Sequence, residues 1–347
     1  MSAAFSPWQQ RAYDQTASAL GAGRLGHGLL ICGPVGLGKR AVAERLAQYL
    51  LCSDRLENEP CGKCRSCLLY LSRSQRDPLE QRPDKSLSHP GGHPAHPDAV
   101  FMGFAWRFTP SPPRQLTQIV VDQVRVLSER LSKTPQYGQG LVAIIDPADA
   151  LNENACNALL KTLEEPVSGR YLWLISSQPA TLPATIRSRC QRLEFKLPPH
   201  DEALAWLRTK GHSAKDADEA LEAARGHPGL ADQWLREGGL ALRKSVAGDL
   251  DKLERGEIAV IETAQRWTAD EHADLRLRHA ADLMLAQAAD AGLTDPARLH
   301  KLATWFDAAN RTRDLLRTTV RGDLAMVDLL LAWRVGDRAR ATKGEPK

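Results

Sequence analysis

The chain has 347 residues, 43% of them hydrophobic and 25% charged, with a formal net charge of +4. That length accommodates two or three domains and a sizeable core, and the small charge excess selects no partner by itself. The N-terminal "MSAAFSPWQQRAYDQ" lacks the apolar centre of a signal peptide, and no run of about 18 apolar residues occurs, so the sequence predicts a cytoplasmic protein without a membrane partner. Four of the seven cysteines crowd into Cys52–Cys67, while Cys32, Cys156 and Cys190 stand apart. In a reducing compartment disulfides are not expected for that group.

Residues 1–197 read as α/β. Buried-strand candidates are Gly28–Cys32, Ala99–Phe104, Gly140–Asp146, Tyr171–Ser177 and Gln191–Lys196, and helical stretches separate most of them, as in a parallel sheet with crossover helices. Val121, Val124 and Leu127 share one face of a helix, with Leu131 a turn later; Asn152 is a candidate cap for a helix that stops at Pro166. Residues 75–118 are rich in Pro, Ser, His and Gly and read as a long connection or insertion. His89, His93 and His96 within it could suggest a metal site, but scattered histidines in a polar loop are the commoner explanation.

After Leu197–His200 the strand signals vanish. "DEALAWLRTKG" and "SAKDADEALEAARG" form a small helical group over 198–238. A longer Leu/Ala-rich array fills 239–347 and includes "DLAMVDLLLAW", whose apolar residues occupy more than one face; this predicts burial against neighbouring helices or subunits. The basic stretch Arg334–Lys347 is expected to be a solvated, frayed tail.

Between the first strand and its helix lies Gly33-Pro34-Val35-Gly36-Leu37-Gly38-Lys39, which fits the phosphate-loop pattern G-x-x-x-x-G-K. Glycines let successive N–H groups turn toward phosphate oxygens, the helix N-terminus adds positive potential, and Lys39 adds a charge. The plain alternative is an ordinary glycine-rich strand-to-helix turn. Arg40 stands where a Ser or Thr hydroxyl would hold magnesium. Downstream, "LVAIIDPAD" ends a strand in Asp146, the carboxylate expected beside the magnesium shell, followed by Pro147. The set Gly33, Gly36, Gly38, Lys39, Arg40 and Asp146 therefore reads as a degenerate nucleotide site.

Cys52, Cys61, Cys64 and Cys67 follow the spacing C-x8-C-x2-C-x2-C. Four thiolates can close a tetrahedral zinc shell, which leaves no open position for catalysis; free cysteines or a redox pair are the alternatives. Ser188-Arg189-Cys190 precedes the last strand, and on its own such an arginine is most often a surface charge.

The order of these motifs, together with "HPD" at His96–Asp98, "DQVRVL" at Asp122–Leu127 and "NALLKTLEEP" at Asn157–Pro166, resembles the bacterial clamp-loader subunits of the AAA+ class, and among them the delta-prime family of DNA polymerase III. The resemblance covers residues 1 to about 235; beyond that only composition and the "DLLLAW" ending fit. It implies an AAA+ α/β domain (1–197), a helical lid (198–238) and an all-α collar (239–347) within a hetero-pentameric ring of clamp-loader subunits. Such a ring opens the sliding clamp and places it on primer-template DNA. In that family the arginine of S-R-C reaches a neighbour's ATP site as an arginine finger, which falls here on Arg189. Such a charge is worth about 10³–10⁵ in rate in comparable phosphoryl transfers.

Hydrolytic members of the family carry a Glu after the strand-ending Asp, where this chain has Pro147, and a lid arginine that Gly226–Ala231 lacks. With Arg40 these departures count against ATP or ADP binding in cis and against hydrolysis, although Gly38 and Lys39 leave weak binding open. They also count against the rival within the family, a hydrolytic gamma/tau-type motor. A self-contained P-loop enzyme would need an acidic base in cis, and a zinc-dependent DNA-binding protein would need basic residues around the knuckle, where "CSDRLENEPCGKCRSC" mixes both signs.

Overall fold

The apolar runs of the N-terminal half are buried on both faces, and they pair side by side as a parallel sheet. The computed structural model describes residues 4–72, 94–107, 114–137, 139–291, 295–316 and 320–341. Two compact units divide the chain, Met1–Ala231 and Asp232–Lys347. In chain order the first contains α1 (Pro7–Gly21), β1 (Gly28–Cys32), α2 (Lys39–Leu51), α3 (Arg65–Leu71), β2 (Ala99–Met102), the short β3 (Trp106–Arg107) and β4 (Arg114–Gln115), and α4 (Val121–Ser132). There follow β5 (Leu141–Ile145), α5 (Glu153–Glu164), β6 (Arg170–Ser176), α6 (Ala184–Arg189), β7 (Gln191–Glu194), α7 (His200–Thr209) and α8 (Ala214–Ala223). The unit boundary falls inside α9 (Pro228–Glu237).

The main sheet has the order β2-β5-β6-β1-β7, every pairing parallel. Alternation along each strand separates two cores. Leu29, Ile31, Phe101, Ile144, Trp173 and Ile175 face α1 and α2, whereas Leu30, Val100, Ala143, Ile145 and Leu174 face α4 and α5. The expected strands all form. What the sequence left as a connection between 75 and 118 also contains the β3–β4 pair, which is antiparallel. Asn152 caps α5 by accepting from the Ala155 N–H at 2.9 Å, and α5 ends at Glu164, just before Pro166.

The second unit continues with α10 (Gly239–Arg255), α11 (Val260–Thr268), α12 (Ala273–Ala291), α13 (Pro296–Leu315) and α14 (Gly322–Ala341), and its described residues form no strand. Trp267, Trp305 and Trp333 anchor its core among Leu250, Leu253, Met284 and Leu330. Each indole N–H has an acceptor: Asp249 Oδ2 at 2.8 Å, the Leu329 carbonyl at 3.0 Å and the Leu250 carbonyl at 3.1 Å, respectively. Helix α14 carries the backbone on to Ala341, through much of the stretch expected as a frayed tail. Among the described residues no helix is long and apolar enough to cross a membrane.

Candidate functional site

The phosphate loop leaves the C-terminal end of β1, where a parallel sheet normally offers its ligand crevice. Gly33 and Gly36 have φ of 137° and 82°. A Cβ on Gly33 would lie 2.3 Å from the Phe195 carbonyl oxygen, so this turn admits only glycine. The same crowding recurs above the loop. A Cβ on Gly229, in the first turn of α9, would lie 1.9 Å from the Gly36 carbonyl oxygen, so α9 rests backbone to backbone on the loop.

Inside that enclosure the ammonium of Lys39 donates to the carbonyls of Gly33 at 2.6 Å and Pro34 at 2.7 Å and to Ser177 Oγ at 3.1 Å. An ammonium has three donors, and all three are engaged. Burial pushes the Lys39 pKa down, against the opposing pull of Asp146 and Asp149. Arg40 Nε donates to Glu44 Oε1 at 2.8 Å and Nη1 to Asp146 Oδ2 at 3.1 Å, and its guanidinium stands 5.4 Å from the Phe101 ring centre. A fixed cation thus neutralises Asp146, the carboxylate the sequence assigned to a magnesium shell. From α1, Trp8 Nε1 and Gln9 Nε2 each donate to the Leu37 carbonyl at 3.1 Å. The sequence-predicted loop residues and Asp146 do come together, with Lys39 bonded to the loop's own carbonyls and Arg40 to Asp146.

Several partners here were not singled out from sequence. Asp149 accepts from Ser176 Oγ and from the N–H groups of Ser177 at 2.7 Å and Gln178 at 3.2 Å, which fixes the end of β6 beside Lys39. The available signal was positional: Ser177 follows a strand that pairs with β1 in parallel register, and such strand ends share the crevice. Pro147 leads into the turn Ala148–Ala150 and presents no carboxylate next to Asp146.

The four cysteines of the second motif converge. Their sulfurs all lie within 4.8 Å of one another, with Cys52 Sγ 3.6 Å from Cys61 Sγ and 3.9 Å from Cys64 Sγ. A tetrahedral zinc site with Zn–S of about 2.3 Å has sulfurs about 3.8 Å apart, so the donor set fits that metal. Main-chain N–H groups of Cys61, Cys64 and Cys67 point at the sulfurs of Cys52, Cys61 and Cys64 at 3.3, 3.3 and 3.4 Å, the kind of donors that favour thiolates. The module could hold a metal such as zinc.

Of the histidines, His89 and His93 lie outside the described residues, and His96 is fully buried. The Asp98 N–H donates to His96 Nδ1 at 3.1 Å, so Nε2 carries the proton and donates to Ser66 Oγ at 2.8 Å, while Ser66 donates to the Leu51 carbonyl at 2.6 Å. The Asp98 carboxylate accepts the N–H groups of Gln136 at 2.8 Å and Tyr137 at 2.9 Å. Burial lowers the His96 pKa despite Asp98. Ser66, His96 and Asp98 are therefore a strut between the cysteine module and β2: the ring has no free lone pair for a metal or for activating the serine.

Arg189 is the last residue of α6. Ile186 and Cys190 are buried on either side of it, while its own side chain is 37% exposed. Nη2 meets Glu164 Oε1 at 2.6 Å and Nη1 donates to the Thr185 carbonyl at 3.0 Å. Gln191 pairs with Leu29 in register, so Arg189 sits at the start of the strands, whereas the phosphate loop leaves their far end after Cys32. A strand of this length separates the two by roughly 13 Å at about 3.3 Å per residue.

Residues 8–199 match the family described as DNA polymerase III, delta subunit. The DNA polymerase III subunit delta' of Pseudomonas aeruginosa is 34% identical over 265 residues, 76% of this chain and 71% of that protein. The DNA polymerase III subunit delta' of Escherichia coli is 31% identical over 235 residues, 66% of this chain and 62% of that protein. Among solved structures, a DNA polymerase III gamma subunit-related protein from Thermotoga maritima aligns over 93% of this chain and 99% of its own, at 14% identity and a TM-score of 0.49. With the family model matched over more than half of the chain and two delta' relatives matched across most of it, this protein belongs to the family of DNA polymerase III delta-prime subunits.

Proposed function

We propose that the chain is a non-hydrolysing member of a clamp-loader ring, and that it supplies Arg189 in trans to the ATP site of a neighbouring subunit. The observation that carries this reading is the placement of Arg40: its guanidinium lies between Glu44 and Asp146, where a hydrolytic site needs a hydroxyl and magnesium. Lys39, spent on its own loop, supports the same conclusion. The position of Arg189 at the opposite end of the strands from its own cradle favours action on another chain.

In this reading the cysteine module holds one structural zinc, residues 198–238 act as a lid and 239–347 as a collar joining the other subunits of a hetero-pentamer. The sliding clamp and primer-template DNA are engaged through the complex. Chain alone should release no phosphate from ATP above background. In a reconstituted complex, Arg189→Ala should leave assembly intact and lower DNA- and clamp-stimulated hydrolysis at least tenfold at the affected site. Turnover by the isolated chain that Lys39→Ala removes would overturn the non-hydrolysing role, and a wild-type rate with Arg189→Ala would overturn the finger.

A further inference from the structure

In the described conformation Arg189 is engaged with Glu164 of the "TLEEP" segment. Glu164 closes the last turn of α5, where the helix dipole disfavours a carboxylate, and Glu165 follows it. Nothing in helix chemistry calls for an acid there. What Glu164 gains is the guanidinium of Arg189, with Nη2 to Oε1 at 2.6 Å, while the Thr185 carbonyl takes Nη1 at 3.0 Å. Both ends of the guanidinium fork are thereby occupied by acceptors of this same chain. A phosphate seeking bidentate contact with the fork competes with the carboxylate for the charge and orientation of the guanidinium.

We infer that Glu164 is a positioning residue that holds Arg189 back from a phosphate until a neighbouring nucleotide competes for it. This inference rests on the finger reading of Arg189. The pair is part-exposed, at 37% for Arg189 and 48% for Glu164, and ion pairs of that kind are weak and salt-sensitive. Glu164 therefore sets a threshold that ATP overcomes. The threshold acts on engagement of the finger, so it appears in the ATP concentration needed for half-maximal rate and leaves the saturated rate unchanged.

The experiment is ATP-dependent, DNA- and clamp-stimulated hydrolysis by the reconstituted complex carrying Glu164→Gln, Arg189→Ala or both, at low and high salt. Glutamine keeps the length and removes the charge. Glu164→Gln is expected to lower the half-maximal ATP concentration by about two- to fivefold, equivalent to about 0.4–1 kcal/mol at 1.4 kcal/mol per tenfold, with kcat unchanged. The gain should shrink in high salt and vanish on the Arg189→Ala background. If Arg189→Ala cripples the complex while Glu164→Gln leaves the half-maximal concentration unchanged, or raises it, the holding role is wrong and the finger stands. A loss of kcat with Glu164→Gln would instead make Glu164 an orienting group and also overturn the inference. Wild-type behaviour of Arg189→Ala would overturn both.

Discussion

The phosphate loop and the cysteine module sit at opposite ends of α2, and they differ in who supplies the counter-charge. Around the loop every cation already has its anion or carbonyl: Lys39 on Gly33, Pro34 and Ser177, and Arg40 on Glu44 and Asp146. In the cysteine module four sulfurs converge within 4.8 Å, with main-chain N–H groups, the Ser53 side chain at Cys64 and one another as partners. In the first, the cations are met by the chain's own carbonyls and side chains. The second is a donor set that could hold a metal such as zinc. Polar groups the fold satisfies internally should be indifferent to solution conditions, and groups it leaves wanting should report them.

Removing metal should have the largest effect. Structural zinc is worth about 10 kcal/mol or more in small modules, so chelation, or Cys64→Ser with Cys67→Ser, should release one zinc per chain and lower the melting temperature markedly. Metal analysis and calorimetry decide it: an unchanged melt after complete chelation would remove the contrast between the two regions.

A second group that should report solution conditions lies in the helical unit. His279 is fully buried beside the Gly239 backbone, edge-on to Trp234 at 4.6 Å between ring centres. Desolvation, helped by Arg243 and Arg278, pushes its pKa down from 6.5 to about 4. The unfolded chain thus binds a proton between pH 6.5 and 4 that the folded chain refuses, and stability falls as pH drops through that window. The upper limit is about 3 kcal/mol for a shift of this size. Denaturant titrations from pH 7 to 4 should show that slope for the wild type and a shallower one for His279→Phe; parallel slopes would refute the assignment.

The backbone contact over the loop predicts a smaller effect. A methyl at Gly229 would lie 1.9 Å from the Gly36 carbonyl oxygen, so Gly229→Ala must lift the first turn of α9, at a cost of about 1–3 kcal/mol of the overpacking kind. Hydrogen exchange at Leu37–Lys39 should quicken in the variant, and unchanged protection would show that the contact is not what closes the loop.

Smallest of all should be the response to nucleotide. Millimolar magnesium-ATP should leave the melting temperature of the chain alone unmoved, since binding to the folded state would stabilise it by mass action. A saturating rise in melting temperature that Lys39→Ala abolishes would show that the cradle opens after all.

Much of this was legible in the residues. Apolar runs separated by helical stretches marked all five strands of the main sheet, Asn152 and Pro166 bracketed a helix, and the cysteine spacing marked the ligand set. The short β3–β4 pair escaped because two-residue strands carry no period. His96 read as a scattered loop histidine, and its buried partner Ser66 lies thirty positions earlier in the chain.

Local chemistry made the rest of the division. Backbone periodicity, glycine conformations, caps and ligand spacing act over a few residues, so the sequence alone determined the α/β class, the loop that turns at Gly33, the arginine that follows its lysine at position 40 and the four-thiol cluster. Where the spare charges go depends on contacts between distant segments. Only the tertiary structure decided that Arg40 takes Asp146, that Lys39 takes Ser177, that Gly229 covers Gly36 and that Glu164 holds Arg189. The physical reason is that an ionic or hydrogen-bonding group is satisfied by whatever acceptor the packing of sheet and helices brings within about 3 Å, whatever its place in the chain.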